Sequence, residues 1–160
     1  MKLILASVGR LKAGPERELF DRYSKRAAAL AGAAGLTSVS FREIDEAKAR
    51  DLDERRAAES RALAEIAGKG ALVCALDERG NAATSLGWAR DIAKARDSGQ
   101  GVYAVVIGGP DGLDPEFRRA ARSVVAFGAL TWPHQLVRVM AAEQIYRSLT
   151  ILTGHPYHRA

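Results

Sequence analysis

The last residues of the chain, His155-Pro156-Tyr157-His158-Arg159, put two imidazoles, a phenol and a guanidinium into one short segment. Together these groups offer proton transfer, stacking on a flat ring and the binding of an anion. A surface extension whose rings merely pack is the competing reading. Two stretches upstream offer main chain rather than side chains. Gly108-Gly109-Pro110-Asp111-Gly112 follows the apolar run Tyr103 to Ile107, and Phe127-Gly128-Ala129-Leu130-Thr131-Trp132 is a second turn of mostly small residues. Glycine lets the backbone turn sharply without a Cβ to block a ligand, and Pro110 fixes one φ. Two such turns at adjacent strand ends make a cleft of open N–H and C=O groups, suited to a polar cofactor held by main-chain contacts.

Other chemistries find little support. Gly108, Gly109 and Gly112 are not spaced as a dinucleotide fingerprint, and Asp114-Pro115 follows them instead of a long helix. Gly9 and Gly14 have the separation of a phosphate-binding loop, but Pro15 stands where its lysine belongs. His155 and His158 have neither cysteine nor paired carboxylate beside them, so no metal is expected. There is no nucleophile elbow and no catalytic carboxylate pair, which argues against hydrolysis.

The elements that must position these groups follow from hydrophobic patterning. Lys2 to Val8 reads as a buried first strand, and Pro15 opens a helix whose Leu19, Phe20, Tyr23, Ala27 and Leu30 recur at helical spacing. Leu36 to Ile44 alternates as a strand. Ala47 to Ala67 reads as a long helix whose mixed charges form a solvated face. Gly70 to Leu76 is a strand closed by the turn Asp77 to Asn81, and Thr84 or Ser85 caps the next helix. The continuous apolar run before Gly108 suits a central parallel strand covered on both faces. A short helix follows from Pro115 to Arg122, bearing Arg118, Arg119 and Arg122, and Ser123 begins a last strand.

Pro133 starts the final helix, which runs to about Leu152. Val137, Ala141, Ile145, Leu149 and Leu152 form one apolar line, while Leu136 and Met140 lie on another side. A terminal helix apolar nearly all round predicts packing against a second copy of the chain. The alternation of strands and helices predicts an α/β fold with a mostly parallel sheet of about five strands and helices on both faces.

Whole-chain numbers agree with one domain over residues 1–160. The 48% hydrophobic and 27% charged composition is that of an ordinary globular protein, and the net charge of +5 permits a polyanionic partner without demonstrating one. Cys74 lies inside an apolar run and reads as a buried hydrophobe. The opening MKLILASVGR is too short in apolar residues for a signal peptide, and no segment reaches the length of a membrane span. A cytoplasmic protein is expected.

Four stretches together carry a resemblance: Ile107-Gly108-Gly109-Pro110-Asp111-Gly112, Leu130-Thr131-Trp132-Pro133-His134-Gln135-Leu136-Val137-Arg138, Glu143-Gln144-Ile145-Tyr146-Arg147 and the terminal His155 to Arg159. In kind and order they resemble the RlmH family, ribosomal large-subunit RNA pseudouridine N3-methyltransferases of the SPOUT superfamily. The resemblance implies a C-terminal trefoil knot, an exception to the unknotted rule, and a homodimer. It also implies an S-adenosyl-L-methionine pocket at the knot, bordered by the partner subunit, and 23S ribosomal RNA in the assembled ribosome as substrate. By position, the family's cofactor contacts fall on Leu76, Gly108 and Phe127, Gly128, Ala129, Leu130, Thr131 and Trp132. Trp132 stands where leucine or phenylalanine is usual in the family, a change at the pocket edge.

N3 of pseudouridine is an imide nitrogen, protonated near neutral pH and a poor nucleophile until it loses that proton. In this reading His158 accepts the proton, Arg147 or Arg159 stabilises the anion, and Tyr157 stacks on or orients the base. Glu143 is spaced to pair with Arg147 on the same helix, and Arg138 is a candidate for pairing across the dimer. The alternatives are a SPOUT enzyme acting on transfer RNA or on a ribose 2′-hydroxyl, or a non-catalytic ribosome-binding factor.

Overall fold

Strand β1 (Lys2–Val8) sends Leu3 and Leu5 to one side and Ala6 and Val8 to the other, all buried. A strand covered on both faces needs a helical layer on each, and the chain supplies them in alternation. The computed structural model describes residues 1–159. After β1 come α1 (Pro15–Leu30), β2 (Ser38–Ile44), α2 (Leu52–Ala67), β3 (Leu72–Ala82), α3 (Ser85–Asp97), β4 (Val102–Ile107), α4 (Pro115–Ala120), β5 (Ser123–Ala126) and α5 (His134–Leu152). The five strands form one parallel sheet in the order β2-β1-β4-β3-β5.

The central strand β4 shows the division most plainly. Tyr103, Val105 and Ile107 join the core beneath α1, α3 and α5, whereas Ala104 and Val106 join the core that includes Leu63 and Ala67 of α2 and Phe117 of α4. The connection leaving β4 therefore goes to the α2/α4 face, while those leaving its neighbours β1 and β3 go to the α1/α3 face. Diverging connections open a crevice at the carboxyl ends of the strands, and β4 has one on each side.

Local signals set the helix starts. Asp51 accepts the Glu54 N–H at 2.9 Å and caps α2, so residues 47–50 precede the helix rather than begin it. Thr84 caps α3, and the Asp114 carboxylate receives the Glu116 and Phe117 N–H groups at the head of α4. One expected turn is not a turn: Asp77 to Asn81 stays within β3 as an irregularity, with the register against β5 shifting between Leu76 and Asn81. Gly80 is the reason this works, because a Cβ there would lie 2.6 Å from the Val125 carbonyl carbon.

Helix α5 is buried chiefly by its own chain. Ala141, Ala142, Ile145 and Leu149 are fully covered among α1, α3 and the sheet, which accounts for most of the apolarity that pointed to a second copy. What stays exposed is a smaller patch of Leu130, Trp132 and Leu136 at the amino end of the helix. Arg138 is not at the surface, since its guanidinium donates to the Val8 and Gly9 carbonyls that end β1. No helix among the described residues is long and apolar enough to cross a membrane.

Candidate active site at the strand ends

Between the ends of β3 and β4 lies a cavity of about 460 Å³. Of the expected ligand-binding residues, Leu76, Gly108, Phe127, Gly128, Leu130, Thr131 and Trp132 line it, while Ala129 sits in the same turn without reaching the wall. Both glycine-bearing turns thus meet in one hollow. The Trp132 indole N–H donates to the Phe127 carbonyl at 3.0 Å and closes the second turn on itself. Gly128 holds φ at +95°, a conformation that favours glycine.

The first turn is held from beneath by α2. Arg55 donates to the Asp111 carboxylate at 2.9 Å, Arg56 to the Asp111 carbonyl at 2.7 Å, and the Ser60 hydroxyl accepts the Asp114 N–H at 3.0 Å. Glu59 is buried with one oxygen on the Ala47 N–H and the other unpartnered, close enough to Gly109 that a Cβ there would lie 2.7 Å from it. Arg55 and Arg56 thus anchor the turn, while Lys48, Arg50, Asp53, Glu54, Arg61 and Glu65 stay exposed, as the solvated face expected of this mixture of charges. The cavity also takes in Arg56, Asp77, Glu78, Arg79 and His134, which sequence reasoning did not single out as ligand contacts. Asp77 is fixed by Arg118 at 3.2 Å, so one of the two α4 arginines serves the wall of the site, and Arg122 falls beyond the end of that helix.

The donor set fits a cofactor joining an adenosine to a charged amino acid. The walls Leu76, Ile107, Val125 and Phe127 are apolar, and the rim carries open main chain and charges of both signs. Gly112 and Gly128 both line the cavity, and a Cβ added at either would point into open space. Among the described residues no group of three or more His, Cys, Asp or Glu side chains is placed to hold a metal.

Three of the four candidate catalytic residues come together elsewhere. The Glu143 carboxylate accepts from Arg147 Nη2 at 2.6 Å and from the Tyr157 hydroxyl at 2.9 Å. Arg147 stands 4.8 Å from the Tyr157 ring centroid, and its Nη1 is 3.5 Å from His158 Nδ1. His158 Nε2 is buried without a partner, and Arg159 is exposed. Burial, then hydrogen bonding with Tyr23 and Glu143, pushes the Tyr157 phenol well up, so it remains a donor at neutral pH. The hydrogen bond to Glu143 raises Arg147 further and keeps it charged. None of His158, Tyr157 or Arg147 lines the 460 Å³ cavity of its own chain. Arg147 lies about 20 Å farther along α5 than His134, at roughly 1.5 Å of rise per residue.

A parallel α/β sheet whose two glycine-bearing turns meet in one cavity at the strand ends, with a cluster of ring and guanidinium groups at the terminus, has the architecture of a group-transfer enzyme. The profile of one family, described as "Predicted SPOUT methyltransferase", matches residues 1–158, and the chain belongs to that family. It is 51% identical over 160 residues to Ribosomal RNA large subunit methyltransferase H of Beijerinckia indica, with all of both chains covered. It is also 49% identical over 160 residues to the protein of that name from Bradyrhizobium diazoefficiens, again with both chains fully covered, and 50% identical over 159 residues to that of Methylocella silvestris, with 99% of each covered. The resemblance to the RlmH family read from the four stretches is borne out.

Proposed function

We propose that this chain is the S-adenosyl-L-methionine-dependent methyltransferase that modifies N3 of a pseudouridine in 23S ribosomal RNA, acting on the assembled ribosome as a homodimer in the cytoplasm. The observation that carries the reading is the meeting of Leu76, Gly108 and the 127–132 turn in one cavity. The names of relatives half identical over the full chain supply the large-subunit RNA. Bound there, S-adenosyl-L-methionine supplies an electrophilic methyl group. Everything else is the work of this chain's residues.

The separation of the tail from the cavity supports the homodimer. Within one chain none of the tail residues lines the cavity, and in this reading a second copy seated on the exposed Leu130, Trp132 and Leu136 would supply its tail there. The path from β5 across the ends of β3 and β4 to α5 is where the trefoil knot of the family would form. In the assembled site His158 takes the imide proton through its unpartnered Nε2, and Tyr157 orients the base. Arg147 is engaged by Glu143 and holds both tail rings, which makes it a positioning residue in this structure. Arg159, exposed at the end, is then the cation for the developing anion on the flanking carbonyls.

Mass spectrometry of large-subunit RNA from cells lacking the protein tests this directly. One methyl missing from a pseudouridine, restored by the wild-type chain and not by His158→Ala, is the expected result. An unchanged modification profile overturns the reading.

A further inference from the structure

The crevice on the other side of β4 is also open. It is a cavity of about 390 Å³ between the loop that follows β1 and the Pro110 turn that follows β4, within the range of roughly 300–1,000 Å³ typical of small-molecule sites. We infer that this second cavity is a subsite for a single nucleotide of the RNA, its base edge meeting His134 and Arg138 and its phosphate meeting Arg10 and Lys12. The inference rests on the methyltransferase reading for the identity of the RNA, but not for the chemistry of the cavity.

Four observations converge. The loops after β1 and β4 leave to opposite faces of the sheet, the placement at which ligands bind in open parallel sheets. Arg138 lines the cavity with only 7% of its side chain exposed, and its Nε has no partner. A buried guanidinium N–H without an acceptor is costly unless a ligand supplies one. His134 belongs to the walls of both cavities, and its Nδ1 is buried and unpartnered as well. Burial, followed by the Arg138 charge, lowers the His134 ring below the ordinary imidazole value, overcoming the opposing pull of the Gly109 backbone and Glu46. The ring is therefore neutral near pH 7 and offers an acceptor for an imide N–H.

The mixture of groups favours a base over a bare phosphate in the interior. Glu16 and Glu46 also line the cavity and oppose a buried anion, while Leu11 and Pro110 give apolar contact to a flat ring. Lys12 and Arg10 lie exposed at the outside, and the Arg10 pair with Asp45, more than half exposed on both sides, is easily exchanged for a phosphate. A nucleotide seated this way would reach His134, the wall it shares with the cofactor cavity.

The chain has three histidines, so their ring signals can be resolved individually by NMR in the full-length protein. With the first cavity saturated by S-adenosylhomocysteine, uridine 5′-monophosphate titrated to millimolar concentration is expected to shift His134. Lys12→Ala, an exposed position, is expected to weaken that binding about three- to tenfold and raise the KM for ribosomes similarly, with cofactor affinity unchanged. Shifts confined to His155 and His158, or a Lys12→Ala variant with wild-type nucleotide affinity and KM, overturn the inference. Should wild-type protein transfer no methyl to large-subunit RNA while the nucleotide still shifts His134, the functional reading fails and the nucleotide subsite stands.

Discussion

The Tyr157 hydroxyl donates to the Glu143 carboxylate at 2.9 Å, across fourteen positions of sequence, so the end of the chain is tied to the middle of α5. The same carboxylate oxygen accepts two N–H groups of Arg147, and Arg147 lies against the Tyr157 ring. A terminal segment that would otherwise fray is thereby held in one arrangement before any substrate arrives.

Glu143→Ala removes these charge-assisted bonds together, each worth about 1.5–3 kcal/mol when made to an ionised group. Methyl transfer to ribosomes is expected to fall about tenfold or more. Cofactor affinity, measured by calorimetry, is expected to stay within about twofold, because the cavity is remote within the chain. Amide hydrogen exchange over residues 155–159 should speed up in parallel. Unchanged exchange in that segment would show that Glu143 does not order it.

A second prediction concerns Glu43, which lies 2.5 Å from Arg17 and 3.4 Å from the buried Arg138 and accepts the Leu11 N–H at 2.8 Å. Burial pushes its carboxyl up, but the hydrogen bonds from Arg17 and Leu11 and the charges of Arg17 and Arg138 together bring it below its ordinary 4.5. A carboxylate lowered on folding stabilises the protein above its unfolded value, and that stability is lost as pH falls through the folded value. Glu43→Gln leaves Arg138 without its counter-charge and is expected to cost about 3 kcal/mol near neutral pH. Urea unfolding at several pH values should show the variant's deficit shrinking below about pH 4.5. A deficit independent of pH would mean the carboxylate charge is not what holds Arg138.

The third prediction separates two glycines that the sequence makes look alike. A Cβ on Gly108 would lie 2.7 Å from the Gly112 carbonyl carbon and 2.9 Å from the Leu113 nitrogen, so Gly108→Ala must displace backbone, at about 1–3 kcal/mol. Gly128 meets nothing within 4 Å, and its φ of +95° makes Gly128→Ala cost about 1–2 kcal/mol from conformation alone. Cofactor affinity is expected to fall more than about tenfold in Gly108→Ala, because the moved backbone is itself the binding surface. Equal cofactor affinity in wild type and Gly108→Ala would show that the first turn is not that surface.

Where the sequence was sufficient, the deciding signal was local. The unbroken apolar run of β4, the glycines after it and the Thr-Trp-Pro segment before α5 each announce themselves within a few residues, and both turns fell where expected. What escaped notice depends on partners far away along the chain. Arg55 and Arg56 read as surface charges because Asp111, which they anchor, is more than fifty positions distant. Arg138 looks like any helix arginine until the sheet order brings the β1 carbonyls beneath it. Asp77 to Asn81 has the composition of a turn, yet its end pairs with β5, which Gly80 allows by leaving room for the Val124–Val125 backbone. The distance between the tail and the cavity is likewise a property of α5 as a rigid spacer, invisible in the motifs at its two ends.

The last prediction follows from His134 and can be read without substrate. Its ring is lowered from the usual 6.5, chiefly by burial and then by Arg138, so the folded protein resists a proton that the unfolded chain accepts. Between the folded value and about 6.5 the unfolded state binds more protons, and stability therefore falls as pH drops through that window. Above it the group contributes nothing to the pH dependence. Ring chemical shifts followed from about pH 8 to 5 should show His134 titrating below the ordinary imidazole value of 6.5. His134→Gln should remove this part of the acid sensitivity while that of Glu43, centred lower, persists. If His134 titrated above about 7.5, it would be largely charged at neutral pH, and its Nδ1 would be a donor rather than the acceptor that an imide N–H requires.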